Sequence, residues 1–227
     1  MRGLILPLAL ILSLVARPAL AQVTPADAIP QPRIENGRVA VPYAPLLAEL
    51  RRGGLVFIIR HERTDLSSRW DTADHRPQGD CARERNLSSV GREGAWTLGE
   101  ALRILGVPIG IMIVSPFCRA IETARLAFRR VDIVSPAVVG PDGEGRTYDT
   151  IEAELTALIA RHGRPDANLM IVGHGGTILA YTDAMLDEGE TLVLRPRRDA
   201  SPEVVGRMPA ARWDELVRDL QRQAAGI

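Results

Sequence analysis

Three short apolar runs constrain this chain most: LVFII at 55–59, IGIMIV at 109–114 and NLMIV at 168–172. Each is dominated by apolar residues and shows no polar alternation, and LVFII is an unbroken run of β-formers. Such a run reads as a strand buried on both faces. Segments of helical periodicity separate them. Strands alternating with helices predict an α/β fold: a three-layer α/β/α sandwich around a central, mostly parallel sheet.

The helical segments have readable ends. PLLAELRRGG is a short amphipathic helix stopped by Gly53 and Gly54. A second helix starts at the candidate caps Ser88 and Ser89, shows a face of Val90, Leu98, Leu102 and Leu105, and ends at Gly106. CRAIETARLAFRR is a third, with Ile121, Ala124 and Phe128 at helical spacing. Residues 147–162 form a fourth, with Ile151, Leu155 and Leu158 on one stripe and Gly163 after it. VDIV reads as a short strand, residues near 177–186 as a helix, ETLVLRP as the last strand and AARWDELVRDLQRQ as the last helix.

The N-terminus divides the chain into three parts. Arg2, an apolar run from Leu4 to Ala16, and Ala19-Leu20-Ala21 give residues 1–21 the pattern of a secretory signal peptide, with cleavage expected after Ala21. The run is too short for a membrane span. Residues 22–42 are proline-rich and aperiodic, as expected of a mobile arm. Residues 43–227 form the folded domain. The expected location is therefore periplasmic or secreted, with no transmembrane span after cleavage.

Composition removes several functions. All 28 basic residues are arginine, so no lysine exists for a Schiff base or a P-loop. Removal of residues 1–21 takes away two arginines and no acid, which leaves 26 basic residues against 28 acidic ones. That balance gives no electrostatic case for nucleic acid as a partner. Cys81 and Cys118 are an even pair, which in an exported chain reads as a disulfide; two separate buried thiols are the alternative.

Chemistry concentrates where the apolar runs end. The first leads into Arg60-His61, the second into SPFCRAIETA with Arg119, and the third into Gly173-His174-Gly175-Gly176. In parallel sheets, sites form beyond the carboxyl ends of the strands. Two arginines can grip phosphate oxygens, and a neutral imidazole beside them is a ready nucleophile. Its second ring nitrogen can donate to a backbone carbonyl, and the other histidine, when protonated, can stabilise phosphoryl charge. Zinc is a poor use of these histidines, because neither His-x-x-x-His nor Cys-x-x-Cys occurs. A second Arg-His pair, Arg161-His162-Gly163, ends a helix and follows no strand. Arg63, Arg83 and Arg85 lie on the long polar stretch 62–86, either favouring a second anionic group or simply solvated.

Together LVFIIRHERT, SPFCRAIETA and IVGHGG resemble the three motifs of the histidine phosphatase superfamily, which has the phosphoglycerate mutase-like fold. The resemblance spans roughly residues 50–195, and DCARERNLSSVGR is similar to the middle section of its exported bacterial members. It implies a phosphatase with His61 as nucleophile, a phosphohistidine intermediate, and Arg60, Arg119 and His174 as phosphate-binding residues. It implies no cofactor and no metal. The partner is a small phosphorylated substrate, with envelope phosphates among the candidates. Glu144, in the loop GPDGEGR, is the choice for general acid over Asp142, while Glu62, Glu188 and Glu190 stay open. Glu62 departs from the Gly or Ala usual after the histidine. A catalytically silent protein that binds a phosphorylated ligand is the alternative reading.

Overall fold

In the computed structural model the described residues are 33–35, 38–40, 43–67, 79–141, 145–197 and 202–226. The signal segment and Glu144 lie outside them. Within the stretch read as an arm, β1 (Arg33–Glu35) and β2 (Arg38–Ala40) pair as an antiparallel hairpin.

The domain then alternates as its sequence pattern requires. The order is α1 (Tyr43–Arg52), β3 (Val56–Arg60), α2 (Ser89–Ile104), β4 (Ile109–Val114), α3 (Cys118–Phe128) and β5 (Ile133–Val134). It continues with α4 (Tyr148–His162), β6 (Asn168–Gly173), α5 (Gly175–Thr182), β7 (Thr191–Arg195), β8 (Glu203–Met208) and α6 (Ala210–Ala225). Six strands form one mixed sheet in the order β5-β4-β6-β3-β7-β8. Strands β5, β4, β6 and β3 are mutually parallel, while β7 runs antiparallel to both β3 and β8.

Alternate residues of each strand feed two cores. Phe57 and Ile59 of β3, Met170 and Val172 of β6 and Val193 of β7 pack against α1, α2, α3 and α6. Val56, Ile58, Leu169, Ile171, Leu192 and Leu194 pack under α4 and α5. This two-sided burial is why the strands are apolar without alternation. Asn168 ties the sheet together at the edge opposite the strands' carboxyl ends. Its side chain accepts from Leu55 N at 3.1 Å and donates to Leu50 O at 2.8 Å and Pro108 O at 3.0 Å. A buried amide satisfied by three chain segments fixes their relative register.

Some expectations are corrected. Strand β8 was not expected, because Gly206 and charged residues dilute its pattern on a half-exposed edge. Val90 is 53% exposed and off the apolar face of α2. Ile159 rather than Leu158 completes the buried row of α4. Helix α5 starts at Gly175, directly after His174, and stops at Thr182. Cys81 and Cys118 form a disulfide, tying the polar stretch to the first turn of α3.

Candidate active site

Parallel pairing of β4, β6 and β3 brings their carboxyl ends side by side, and with them His61, Ser115 and His174. His61 is 2% exposed. Its backbone N–H donates to Gly173 O at 3.0 Å, which locks it to the end of β6. Its ring Nδ1 lies 2.9 Å from the carbonyl oxygen of Glu62. A carbonyl only accepts, so Nδ1 carries the proton and Nε2 keeps its lone pair. Glu62 N–H donates to Thr123 Oγ1 at 3.0 Å, and that hydroxyl donates to Arg119 O at 2.8 Å. Helix α3 is thereby fastened to the segment after β3.

His174 occupies the cap position of α5 and its ring lies 5.2 Å from that of His61, edge to face. Arg119 approaches its Nδ1 at 3.4 Å, and a guanidinium only donates. The proton of the neutral ring is therefore on Nε2, which donates to Ser115 Oγ at 2.7 Å. Arg119 itself is buried in the first turn of α3 and sits over the Phe117 ring, 4.2 Å from its centroid. Phe117 also meets the edge of His174. Glu84, buried beside the disulfide, accepts from Cys118 N–H at 2.7 Å and so caps α3.

Arg60 closes the set. Its NH1 donates to Leu186 O at 2.9 Å, and its guanidinium lies beside Gly175 at the start of α5. Its buried Nε has no hydrogen-bond partner among the described residues, and a phosphoryl oxygen could take that donor. Burial, followed by the charge of Arg119, holds His61 well below the usual histidine range, and Arg60 and Arg85 push the same way. Burial, then His61 and Arg119, does the same to His174. Both rings are thus neutral, whereas the sequence reading considered a protonated second histidine. Two neutral imidazoles among arginines form a site whose charge favours an anion.

The cleft in front of Arg60 has a volume of about 610 Å³ and is lined by Arg63, Thr64, Leu66, Arg85 and Glu188 among others. Arg63 and Arg85 therefore reach the cleft, and Arg83 is not in its lining. Glu62 is a different matter. It is only 3% exposed and lines a smaller hollow of about 230 Å³ with Glu93, Trp213 and Asp214. Its carboxyl fits between two glycines: a Cβ at Gly94 or at Gly189 would come within 2.7 or 2.6 Å of Glu62 Oε2. Burial pushes its pKa up to about 7. Among the described residues, no group of three or more His, Cys, Asp and Glu side chains is placed to hold a metal ion.

Sequence reasoning overlooked Ser115 and Phe117. Both stand in SPFCRA, and the strand-end position of Ser115 was the available signal for it. Glu144 lies outside the described residues. The described chain before it ends at Gly140 and Pro141, so close to Gly176 in the first turn of α5 that a Cβ on Gly176 would come within 3.0 Å of Pro141 Cδ.

Several solved structures share the fold at low identity. The protein histidine phosphatase SixA complexed with tungstate is 18% identical, covers 69% of this chain and 97% of its own, and superimposes with a TM-score of 0.52. A mutant phosphoserine phosphatase from Entamoeba histolytica in complex with phosphoserine is 12% identical, covers 70% and 98%, and gives 0.51. An open reading frame product from Mycobacterium tuberculosis is 17% identical, covers 68% and 97%, and gives 0.50. No curated protein matches the sequence. Residues 56–142, the span that carries Arg60, His61 and Arg119, match the model of the histidine phosphatase superfamily (branch 1).

Proposed function

We propose that this chain is an exported phosphatase that hydrolyses a phosphomonoester through a phosphohistidine on His61. One observation carries the reading: the Nδ1–H of His61 is spent on the Glu62 carbonyl, so Nε2 presents a lone pair among arginines. In the first step Nε2 attacks phosphorus in line. The N–P bond forms, the P–O bond to the leaving group breaks, and the leaving oxygen keeps the electron pair and takes a proton. Water then attacks phosphorus, the N–P bond breaks, and phosphate departs. Arg60 and Arg119 hold the phosphoryl oxygens, supplying charge fixed in advance of the transition state, and His174 joins them when its Nε2–H turns from Ser115 Oγ to a phosphoryl oxygen. Glu144 is the proposed proton donor, since its loop departs beside α5.

Export rests on the signal pattern of residues 1–21, and the Cys81–Cys118 disulfide suits an oxidising compartment. Residues 43–227 are the proposed catalytic domain and residues 22–42 the arm before it. The substrate is a small phosphorylated molecule, with envelope phosphates among the candidates. Two measurements test the proposal: hydrolysis of an aryl phosphate by mature protein, and trapping of an acid-labile, base-stable phosphoryl adduct. Both vanish in His61→Ala. Full activity in that variant overturns the role of His61, and no adduct with no hydrolysis in the native protein overturns the reading in favour of a silent phosphate-binding protein.

A further inference from the structure

The cleft contains an anion of its own. Glu188 lies on the turn before β7, far in sequence from Arg60, Thr64 and Arg85. Its carboxylate accepts from Thr64 N–H at 3.0 Å and from Thr64 Oγ1, also at 3.0 Å. That tether aims Oε1 at two guanidiniums at once, Arg60 and Arg85, each 3.6 Å away. Both arginines line the cleft with it, and the charge of each reaches both histidines. Neither approach is a close bidentate pair, the geometry in which Arg grips a carboxylate hardest. A single oxygen is instead shared between two cations at a separation from which either can turn away.

The geometry points to Glu188 as a resident counter-anion that competes with the phosphoryl group for Arg60 and Arg85 and so sets how tightly this cleft holds phosphate. The inference rests on the phosphatase reading for its biological meaning, because a hydrolase must release the inorganic phosphate it makes. Arginines that faced only phosphate would bind substrate and product alike, and tight binding of the product slows its release. A carboxylate held within reach takes up the guanidiniums as phosphate leaves. The two roles Glu188 could have predict opposite signs. If it merely positions Arg60 and Arg85, its neutralisation loosens the site and weakens phosphate binding. If it competes, neutralisation tightens phosphate binding.

The test is calorimetric titration of inorganic phosphate into mature, disulfide-intact protein. Glu188→Gln keeps the shape and an acceptor for Thr64 and loses the charge. It is expected to bind phosphate about tenfold more tightly, because two guanidiniums are released from a competing carboxylate. Asp187→Asn removes a charge from the adjacent cleft residue and should change the affinity less than twofold. In steady-state assays Glu188→Gln should lower both KM and the inhibition constant of phosphate. Unchanged or weaker phosphate binding in Glu188→Gln overturns the proposal, as does equal tightening in Asp187→Asn. If thermal melting shows that Glu188→Gln does not fold, Glu188→Asp takes its place, with a several-fold tightening expected and none overturning the idea. Phosphate titration needs no turnover. Failure of the phosphatase reading, seen as hydrolysis that survives His61→Ala, is therefore read separately.

Discussion

The chain contains two Arg-His pairs, and their surroundings share almost nothing. Arg60-His61 ends a strand buried on both faces, and His61 is locked by its backbone to β6 and by its ring to Glu62 O. Arg161-His162 ends α4, where both residues lie in the last turn and His162 is only half-buried. The first pair is surrounded by Arg119, Arg85 and His174, a setting that favours an anion. The second faces the negative end of a helix dipole, which satisfies a cation locally. Even the residue that follows differs in its work. Glu62 lends a carbonyl to the histidine ring, whereas Gly163 closes a helix. The surroundings of an Arg-His dipeptide are therefore set by the element it terminates.

The strongest way to break the comparison is to exchange the losses. His61→Ala should lower hydrolysis of an aryl phosphate by at least about 10³-fold, a barrier increase of roughly 4 kcal/mol. A smaller loss would mean that burial and arginines do not mark a nucleophile. Next comes the brace that only the first pair has. Cys118 precedes Arg119, and its bridge to Cys81 closes a loop with a sequence separation of 37. Replacing both cysteines by serine should cost about 4 kcal/mol in denaturant unfolding on the chain-entropy account. A loss under about 1 kcal/mol would show that the polar stretch is held without the bridge.

The physical reason for what was legible follows from these residues. His61, Arg119 and His174 could be placed because an apolar run without alternation implies a strand inside a sheet, and parallel strands end at one edge. Glu188 could be named but not placed. It reaches Thr64 across 124 positions, through the turn into β7, and no local pattern encodes that return. Strand β8 was missed for a related reason: an edge strand exposes one face, so its sequence needs little apolar periodicity. Ser115 was readable in position, yet a serine after a strand is equally at home in a plain turn. Val90 is the converse case: its spacing fits an apolar face that its exposed side chain does not join.

Glu62 sharpens the comparison through pH. Burial raises its folded pKa to about 7, above the ordinary 4.5. The folded state therefore holds this proton more tightly than the unfolded chain. The stability so gained is fully present below about pH 4.5 and is lost as pH rises through about 7. Glu62→Gln never ionises and escapes that loss. Its stability relative to the native protein should rise by on the order of 3 kcal/mol between pH 4.5 and pH 8, from a shift of that size. The depressed histidines add a pH dependence of their own, with the reverse sign. It is common to both proteins and cancels in the difference. A gap that stays constant with pH would place the carboxyl in contact with water or a cation.

The smallest effect belongs to the second pair. His162→Ala removes a half-buried side chain from the last turn of α4, near the orphan carbonyls. Gly163 has an extended backbone, with φ −63° and ψ 138°, so the left-handed freedom expected of a glycine cap is unused. What it supplies is space, since a Cβ there would come within 2.8 Å of Ile159 O, the carbonyl that its own N–H reaches at 2.8 Å. The helix end is thus closed by a main-chain bond that does not involve the imidazole. His162→Ala should shift unfolding free energy by no more than about 0.5 kcal/mol, the size of a single exposed dipole interaction. Aryl phosphatase activity should stay within twofold. Gly163→Ala, by contrast, crowds that carbonyl and should cost about 1 kcal/mol while leaving activity intact. Loss of activity in His162→Ala with unchanged stability would give the second pair a chemical role, and the rule drawn from strand ends would fail.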